Sequence, residues 1–298
     1  MNTRRIGSLE VSVVGLGCNN FGLRLDQVRT QAVVDAALEA GVTFFDTADM
    51  YGGTESEVFL GRALGRRRSL VALATKFGWE IDATRKGARP EYVKQAADAS
   101  LRRLGTNRID LYQLHKPDST VPIVETLGAL DDLVRGGKVR EIGCSNFSAA
   151  QVREANDAAR GARFVSVQNE YSLLHREPER DVLAESQRLG LAFIPFFPLS
   201  SGLLTGKHRK GQPTPSGTRL TGRPPDEGKL ETVEALIRYA TAKGHTLLEL
   251  AFGYLLSQSI VASVIAGATS PEQVRANVAA TTWDLTERER GEVVAMVE

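Results

Sequence analysis

Short apolar runs alternate with longer amphipathic stretches from near residue 11 to near residue 270, and this alternation most narrows what the chain can fold into. Repeated βα units pack their helices against a parallel sheet. The predicted strands cover residues 11–16, 42–46, 70–76, 109–115, 139–144, 164–168, 191–196 and 261–266. Most are rich in Val, Ile, Leu and Phe on both faces, as strands buried between a barrel interior and a ring of helices should be. The expectation is a (β/α)8 barrel forming a single domain over 1–298. Gly7-Ser8 between two β-prone arms predicts an N-terminal hairpin closing its bottom, and 286–297 predicts a terminal helix outside it.

Helix start signals fall between the strands. Asp26 precedes 27–40, Thr54 stands three residues before Glu57, Arg89-Pro90-Glu91 precedes 92–104, Ser148 precedes a stretch ending near Arg160, and Pro271 opens another helix. Further helices are expected over 229–243 and 246–257. Gly41 and Gly105 suit left-handed C-terminal caps. The rhythm breaks over 199–228, where Pro213, Pro215, Pro224 and Pro225 interrupt any helical or strand period from 205 onward. A loop of that length in a compact domain is functional or disordered.

At 298 residues and 42% hydrophobic content, the chain has enough apolar surface for one large core. Lys plus Arg total 37 against 36 acids, for a net charge of +1, so no global field recruits nucleic acid or an anionic membrane. The expected partner is a small molecule. Cys18 and Cys144 are the only cysteines, which fits a reducing compartment, and no secretory leader or membrane-spanning run stands out. A cytoplasmic location follows as the expectation.

Four polar residues sit where predicted strands end: Asp46, Tyr51 five residues on, Lys76 and His115. Barrels keep their chemistry at the C-terminal ends of their strands. A phenol with a pKa of about 10 is a poor acid or base near neutrality, and an adjacent ammonium favours the phenolate. Lys76 supplies that charge, Asp46 the carboxylate that holds it, and His115 a hydrogen bond that orients a carbonyl. No activated Ser or Cys nucleophile accompanies them, and His175, His208 and His245 lack metal-ligand spacing, so no metal is expected. Reducing a carbonyl needs a hydride that no side chain supplies, which implies a redox cofactor.

The residues that carry a family resemblance are Phe45-Asp46-Thr47-Ala48-Asp49-Met50-Tyr51-Gly52, Glu57-Val58-Phe59-Leu60-Gly61-Arg62-Ala63-Leu64, Ala74-Thr75-Lys76-Phe77-Gly78, Asp110-Leu111-Tyr112-Gln113-Leu114-His115, Ile142-Gly143-Cys144-Ser145-Asn146-Phe147 and Gln168-Asn169-Glu170-Tyr171-Ser172. In this order the chain resembles the aldo-keto reductases, in a branch near bacterial sugar and aldehyde reductases and potassium-channel β subunits. The resemblance implies that Tyr51 is the general acid, Lys76 and Asp46 its tuning pair and His115 the substrate-orienting residue. It implies that Ser145, Asn146 and Gln168 hold the nicotinamide carboxamide and that Phe196 stacks on the nicotinamide ring, where relatives more often carry Tyr or Trp.

Gly15-Leu16-Gly17 is too short for a dinucleotide fingerprint of the Rossmann kind. By resemblance the cofactor instead meets Gly17, Cys18, Asn19 and Asp46, a belt of Pro198, Leu199, Ser200, Gly202 and Lys207, and an adenosine end at Gly267, Thr269, Gln273 and Asn277. Relatives often place a cation at Gly267 or Thr269 and an Arg at Gln273, whereas this chain is neutral there, and Arg275 and Lys207 are the cations expected to contribute instead. NADP(H) is favoured, with NAD(H) the alternative. The implied reaction interconverts an aldehyde or ketone, a sugar among them, and its alcohol. The alternative class is a cofactor-binding regulatory module with little or no turnover. Residues near Asn19, Asn20, Phe21, Tyr51, Trp79, His115 and Phe147 are expected to line the substrate pocket.

Overall fold

In the computed structural model, which describes residues 1–297, eight parallel strands form the expected barrel. The hairpin strands β1 (Thr3–Ile6) and β2 (Leu9–Ser12) come first. The barrel strands are β3 (Val14–Gly17), β4 (Phe44–Asp46), β5 (Ala72–Phe77), β6 (Ile109–Leu114), β7 (Val139–Ser145), β8 (Phe164–Glu170), β9 (Ala192–Phe196) and β10 (Val264–Gly267). They pair in the order β10-β3-β4-β5-β6-β7-β8-β9, and a bridge between Phe193 and Val261 closes the ring.

Several strand expectations change at their ends, the second strand starting at Phe44 and the third at Ala72, after Leu70 closes a 3-10 turn. Val11 belongs to the hairpin, because Ser12 turns the chain, its hydroxyl donating to the Val14 carbonyl while its amide donates to Thr43 Oγ1. The last strand starts at Val264, and Val261 makes only the closing bridge.

The hairpin turns at Gly7, whose φ of 55° lies in the left-handed region where a Cβ is disfavoured. Ile6, Leu9 and Val11 then pack beneath Phe44, Leu111, Ile194 and Ile265, so the hairpin seals the bottom of the barrel. The site is left to open at the other end.

Helices α1 (Gln27–Glu39), α2 (Glu55–Leu64), α3 (Pro90–Leu104), α4 (Ile123–Arg135), α5 (Ala149–Ala158), α6 (Val182–Arg188), α7 (Glu227–Ala242), α8 (Leu247–Leu256), α9 (Pro271–Ala279) and α10 (Glu287–Ala295) complete the described chain. Asp26, Ser148, Asp226, Thr246, Ser270 and Thr286 each cap a helix by accepting from the backbone amide three residues on. Thr54 does not. It has φ 84° and makes no cap bond, while Glu57 is buried and accepts from Thr75 Oγ1 and Arg103 Nε, both at 2.6 Å. The Thr-x-x-Glu spacing was thus recruited into a buried ion pair. No described helix is long and apolar enough to cross a membrane.

Helices α2 and α3 meet at Gly61, where a Cβ would lie 2.5 Å from the Leu104 carbonyl oxygen. Backbone cannot rotate away as a side chain does. Gly61→Ala is therefore expected to cost about 1–3 kcal/mol, read as a lowered midpoint in urea; an unchanged midpoint would contradict this packing.

Candidate active site

The C-terminal ends of the strands surround a cavity of about 830 Å³, large for a small-molecule site. Asp46 closes β4, Lys76 sits near the end of β5, and His115 follows β6. Tyr51 opens a single 3-10 turn, Tyr51–Thr54, in which Gly52 and Gly53 take φ 58° and 65°. A Cβ on Gly52 would stand 2.4 Å from the Phe21 carbonyl oxygen, so glycine is what lets this turn dock and carry Tyr51 to the rim.

Lys76 is completely buried, and its ammonium donates to Asp46 Oδ2 at 2.5 Å and to the Thr47 carbonyl at 2.8 Å. Its Nζ lies 5.1 Å from the centre of the Tyr51 ring. The second oxygen of Asp46 accepts from Gln113 Nε2 and Gln168 Nε2, each at 3.0 Å. Both carboxylate oxygens of Asp46 thereby have donors, as a buried charge requires. Gln113 went unnoticed in the sequence, although it pairs across from Lys76 and alternates with His115 on the same strand face, a period-two signal.

Burial lowers the Lys76 pKa, but Asp46 and Tyr51 outweigh it and hold the side chain above its ordinary value. Lys76 lowers the Tyr51 pKa as its charge requires, but burial raises it by more, and Asp46 adds to the rise. The phenol keeps its proton near neutrality. Burial, then the charges of Lys76 and Lys116, push the His115 imidazole well below its ordinary pKa. His115 is therefore neutral, and its Nδ1 is buried without a hydrogen-bond partner. It packs edge-on to Tyr51 with ring centres 5.7 Å apart and tilts against Trp79 at 5.2 Å.

Gly17, Cys18, Asn19, Asp46, Ser145, Asn146, Gln168, Phe196, Pro198, Leu199, Gly202, Lys207, Gly267, Thr269, Gln273 and Asn277 all line the cavity. Ser200 does not; its hydroxyl pairs with Ser172 Oγ at 2.8 Å, and Ser201 faces the cavity instead. Ser145 Oγ donates to the Gln168 carbonyl, and Asn146 Nδ2 donates to the His115 carbonyl, which ties the end of β7 and the residue after it to β8 on one side and to the residue following β6 on the other. Among the described non-glycine residues only Thr54, Asn146, Phe197, Ser200 and Ser201 have positive φ, and all five flank the rim. Backbone strain of this kind concentrates where geometry serves a site.

The expected pocket wall is partly corrected. Phe21 and Phe147 are buried in the packing behind the rim and do not line the cavity, whereas Met50, Phe197 and Arg219 do. Arg275 also lies off the cavity, 3.8 Å from Glu39. In its place Arg24, Lys207 and Arg219 stand in the cavity wall with no carboxylate paired to any of them among the described residues. Arg219 sits 5.3 Å above Phe197 and reaches Asn19 Oδ1 and Asn20 Oδ1 at 3.5 and 3.4 Å. Burial and the charge of Arg24 lower the pKa of both Lys207 and Arg219. Three mutually repelling cations on one cavity wall call for a polyanion. Arg219 was hidden in the sequence because its loop has no periodicity to say where it points.

The aldo/keto reductase family model matches residues 13–298. The chain belongs to the aldo/keto reductase family. Among solved structures, it is similar to the holo form of aldo-keto reductase AKR11C1 from Bacillus halodurans, with 33% identity and a TM-score of 0.84 over 100% of this chain and 97% of that one. Family membership makes the protein an oxidoreductase of carbonyl compounds and implies a nicotinamide cofactor. The cavity of this aldo/keto reductase offers what a dinucleotide needs. It has amide and hydroxyl groups at one end, unpaired cations along its wall, and the N-terminus of α9 at the other end. At Gly267 a Cβ would come within 3.3 Å of Asn19 Oδ1 and Asn20 Nδ2, so the wall there is close-fitting without a side chain.

Proposed function

We propose that this aldo/keto reductase interconverts an aldehyde or ketone and its alcohol, with Tyr51 as the proton donor in reduction. The observation that carries the reading is the buried Asp46–Lys76 ion pair placed beside a Tyr51 phenol in the cavity wall. The bound nicotinamide dinucleotide supplies the hydride.

The residues of the chain do the rest. Ser145, Asn146 and Gln168 would hold the carboxamide, and Phe196 would pack against the ring. Lys207, Arg24 and Arg219 would meet the phosphates. Neutral His115 donates a hydrogen bond to the substrate oxygen and fixes its direction towards Tyr51. As negative charge grows on that oxygen, Tyr51 gives it a proton, and Lys76 stabilises the phenolate left behind. Asp46 keeps the ammonium in place through the cycle. Met50, Trp79 and Phe197 make an aromatic and apolar mouth in which a hydroxylated or aliphatic carbonyl compound, a sugar included, would lie.

The pKa directions set a pH dependence. Reduction needs the protonated phenol, whose pKa is raised, so the loss of rate that belongs to Tyr51 ionisation should set in only above the ordinary tyrosine range. Oxidation of the alcohol needs the phenolate and should climb over the same range. Because His115 is already neutral, kcat/KM should show no limb at the ordinary histidine pKa in a His115→Asn against wild-type comparison. A limb near pH 6.5 that His115→Asn removes would contradict this assignment.

NADP(H) is the favoured dinucleotide. Arg29 on α1 donates to the Thr269 carbonyl at 3.3 Å, which brings a cation to the otherwise neutral adenosine end formed by Thr269, Gln273 and Asn277. Gln273 itself is occupied, accepting from the Thr269 amide and hydroxyl. Arg29→Ala should reduce the ratio of NADPH to NADH affinity by about tenfold, equivalent to about 1.4 kcal/mol. Titration of tryptophan fluorescence measures both constants, and an unchanged ratio would remove Arg29 from this role.

A further inference from the structure

Asp49 lies in the turn that carries Tyr51, and it is almost wholly buried, yet neither carboxyl oxygen has a hydrogen-bond partner of good geometry; the Met50 amide is only loosely directed at it. Its own amide donates to the Lys76 carbonyl at 3.0 Å, so the turn is fastened to the strand that holds the ammonium. The groups facing it come from every element around it. They are Glu57 on α2, Arg103 and Tyr92 on α3, Lys76 on β5 and Tyr112 on β6. Glu57 is itself engaged by Arg103 Nε and by Thr75 Oγ1, the residue before Lys76.

A buried carboxyl that neither pairs with a cation nor finds donors is costly as an anion. We propose that Asp49 is a positioning residue for the carbonyl reduction, acting from behind the Tyr51 turn on the Lys76–Tyr51 pair through its own protonation state. The inference rests on the reading of Tyr51 and Lys76 as the proton-transfer pair. Burial, reinforced by the Glu57 charge, holds the Asp49 carboxyl up at about 7, so it changes charge in the working range.

The sign is determined by simple electrostatics. Neutral Asp49 leaves the full field of Lys76 on Tyr51, which favours proton donation. Ionised Asp49 places a negative charge beside Lys76, the member of the pair with which it interacts, and weakens the field that Lys76 exerts on Tyr51. The wild-type kcat for reduction should therefore fall by about two- to fivefold to a lower plateau as pH rises through 7, at the effective dielectric of a protein interior. KM for the carbonyl should be unchanged, since Asp49 does not line the cavity.

The test is the pH profile of kcat and KM from pH 5 to 9 for wild type, Asp49→Asn and Glu57→Gln, with Tm followed over the same range. Asp49→Asn should stay on the upper plateau throughout. Glu57→Gln should keep the step but move it to lower pH, which preserves the test if Asp49→Asn fails to fold. The folded-state pKa of Asp49 exceeds its unfolded value of about 3.9. The wild type should therefore lose Tm relative to Asp49→Asn as pH rises from about 4 to about 7. An active wild type with a step that survives unmoved in both variants overturns the proposal alone. A wild type without turnover on any carbonyl overturns the reaction on which it rests.

Discussion

Tyr51→Phe should reduce kcat for carbonyl reduction by about 10²- to 10⁴-fold, the usual worth of a positioned general acid, while the dissociation constant of the dinucleotide changes by less than about twofold. Phenylalanine keeps the ring that His115 meets edge-on at 5.7 Å and removes only the oxygen. The loss should appear in kcat, because Tyr51 stabilises charge that exists mainly in the transition state. Normal kcat in this variant would rule out Tyr51 as the donor.

Lys76→Met should be the most damaging single change for stability and catalysis together. It leaves Asp46 buried with two glutamine amides but no cation, and breaking a buried pair in this way costs about 3–5 kcal/mol. It also strips the phenolate of its stabilising charge. The double variant Asp46→Asn/Lys76→Met separates the two effects. With both charges gone, stability should recover most of the loss, whereas kcat should stay at the level of Lys76→Met. Urea denaturation and steady-state kinetics measure the two quantities independently. Recovery of activity along with stability would show that the pair serves folding rather than proton transfer.

Much of this molecule was legible in its sequence, and for identifiable reasons. Strands buried on both faces leave runs such as Ile109–Leu114, and caps such as Ser148 and Thr246 announce helices locally. Asp46, Tyr51, Lys76 and His115 were visible because strand ends are fixed points of a barrel. What escaped depends on contacts far apart in the chain. Thr54 and Glu57 have the spacing of a capping box, but the demand for a partner by Arg103 and Thr75 took Glu57 away. Gln113 looked like any polar residue in a strand until Asp46 was seen across the barrel. Arg219 reaches Asn19 over 200 residues of sequence, which no local pattern reports. The net rise of the Tyr51 pKa was out of reach for the same reason, since sequence shows which charges are present but not how much water is excluded.

The central claim is direct transfer of hydride to a carbonyl carbon, coupled to a proton from Tyr51. Its most direct measurement is a single-turnover reaction with dinucleotide deuterated at C4 and a reducible aldehyde in ordinary water, followed by mass spectrometry of the alcohol. The account predicts one deuterium on the former carbonyl carbon with wild-type protein and, within the same time, no detectable alcohol with Tyr51→Phe. Alcohol formed without the label, or equal yields from both proteins, would contradict it.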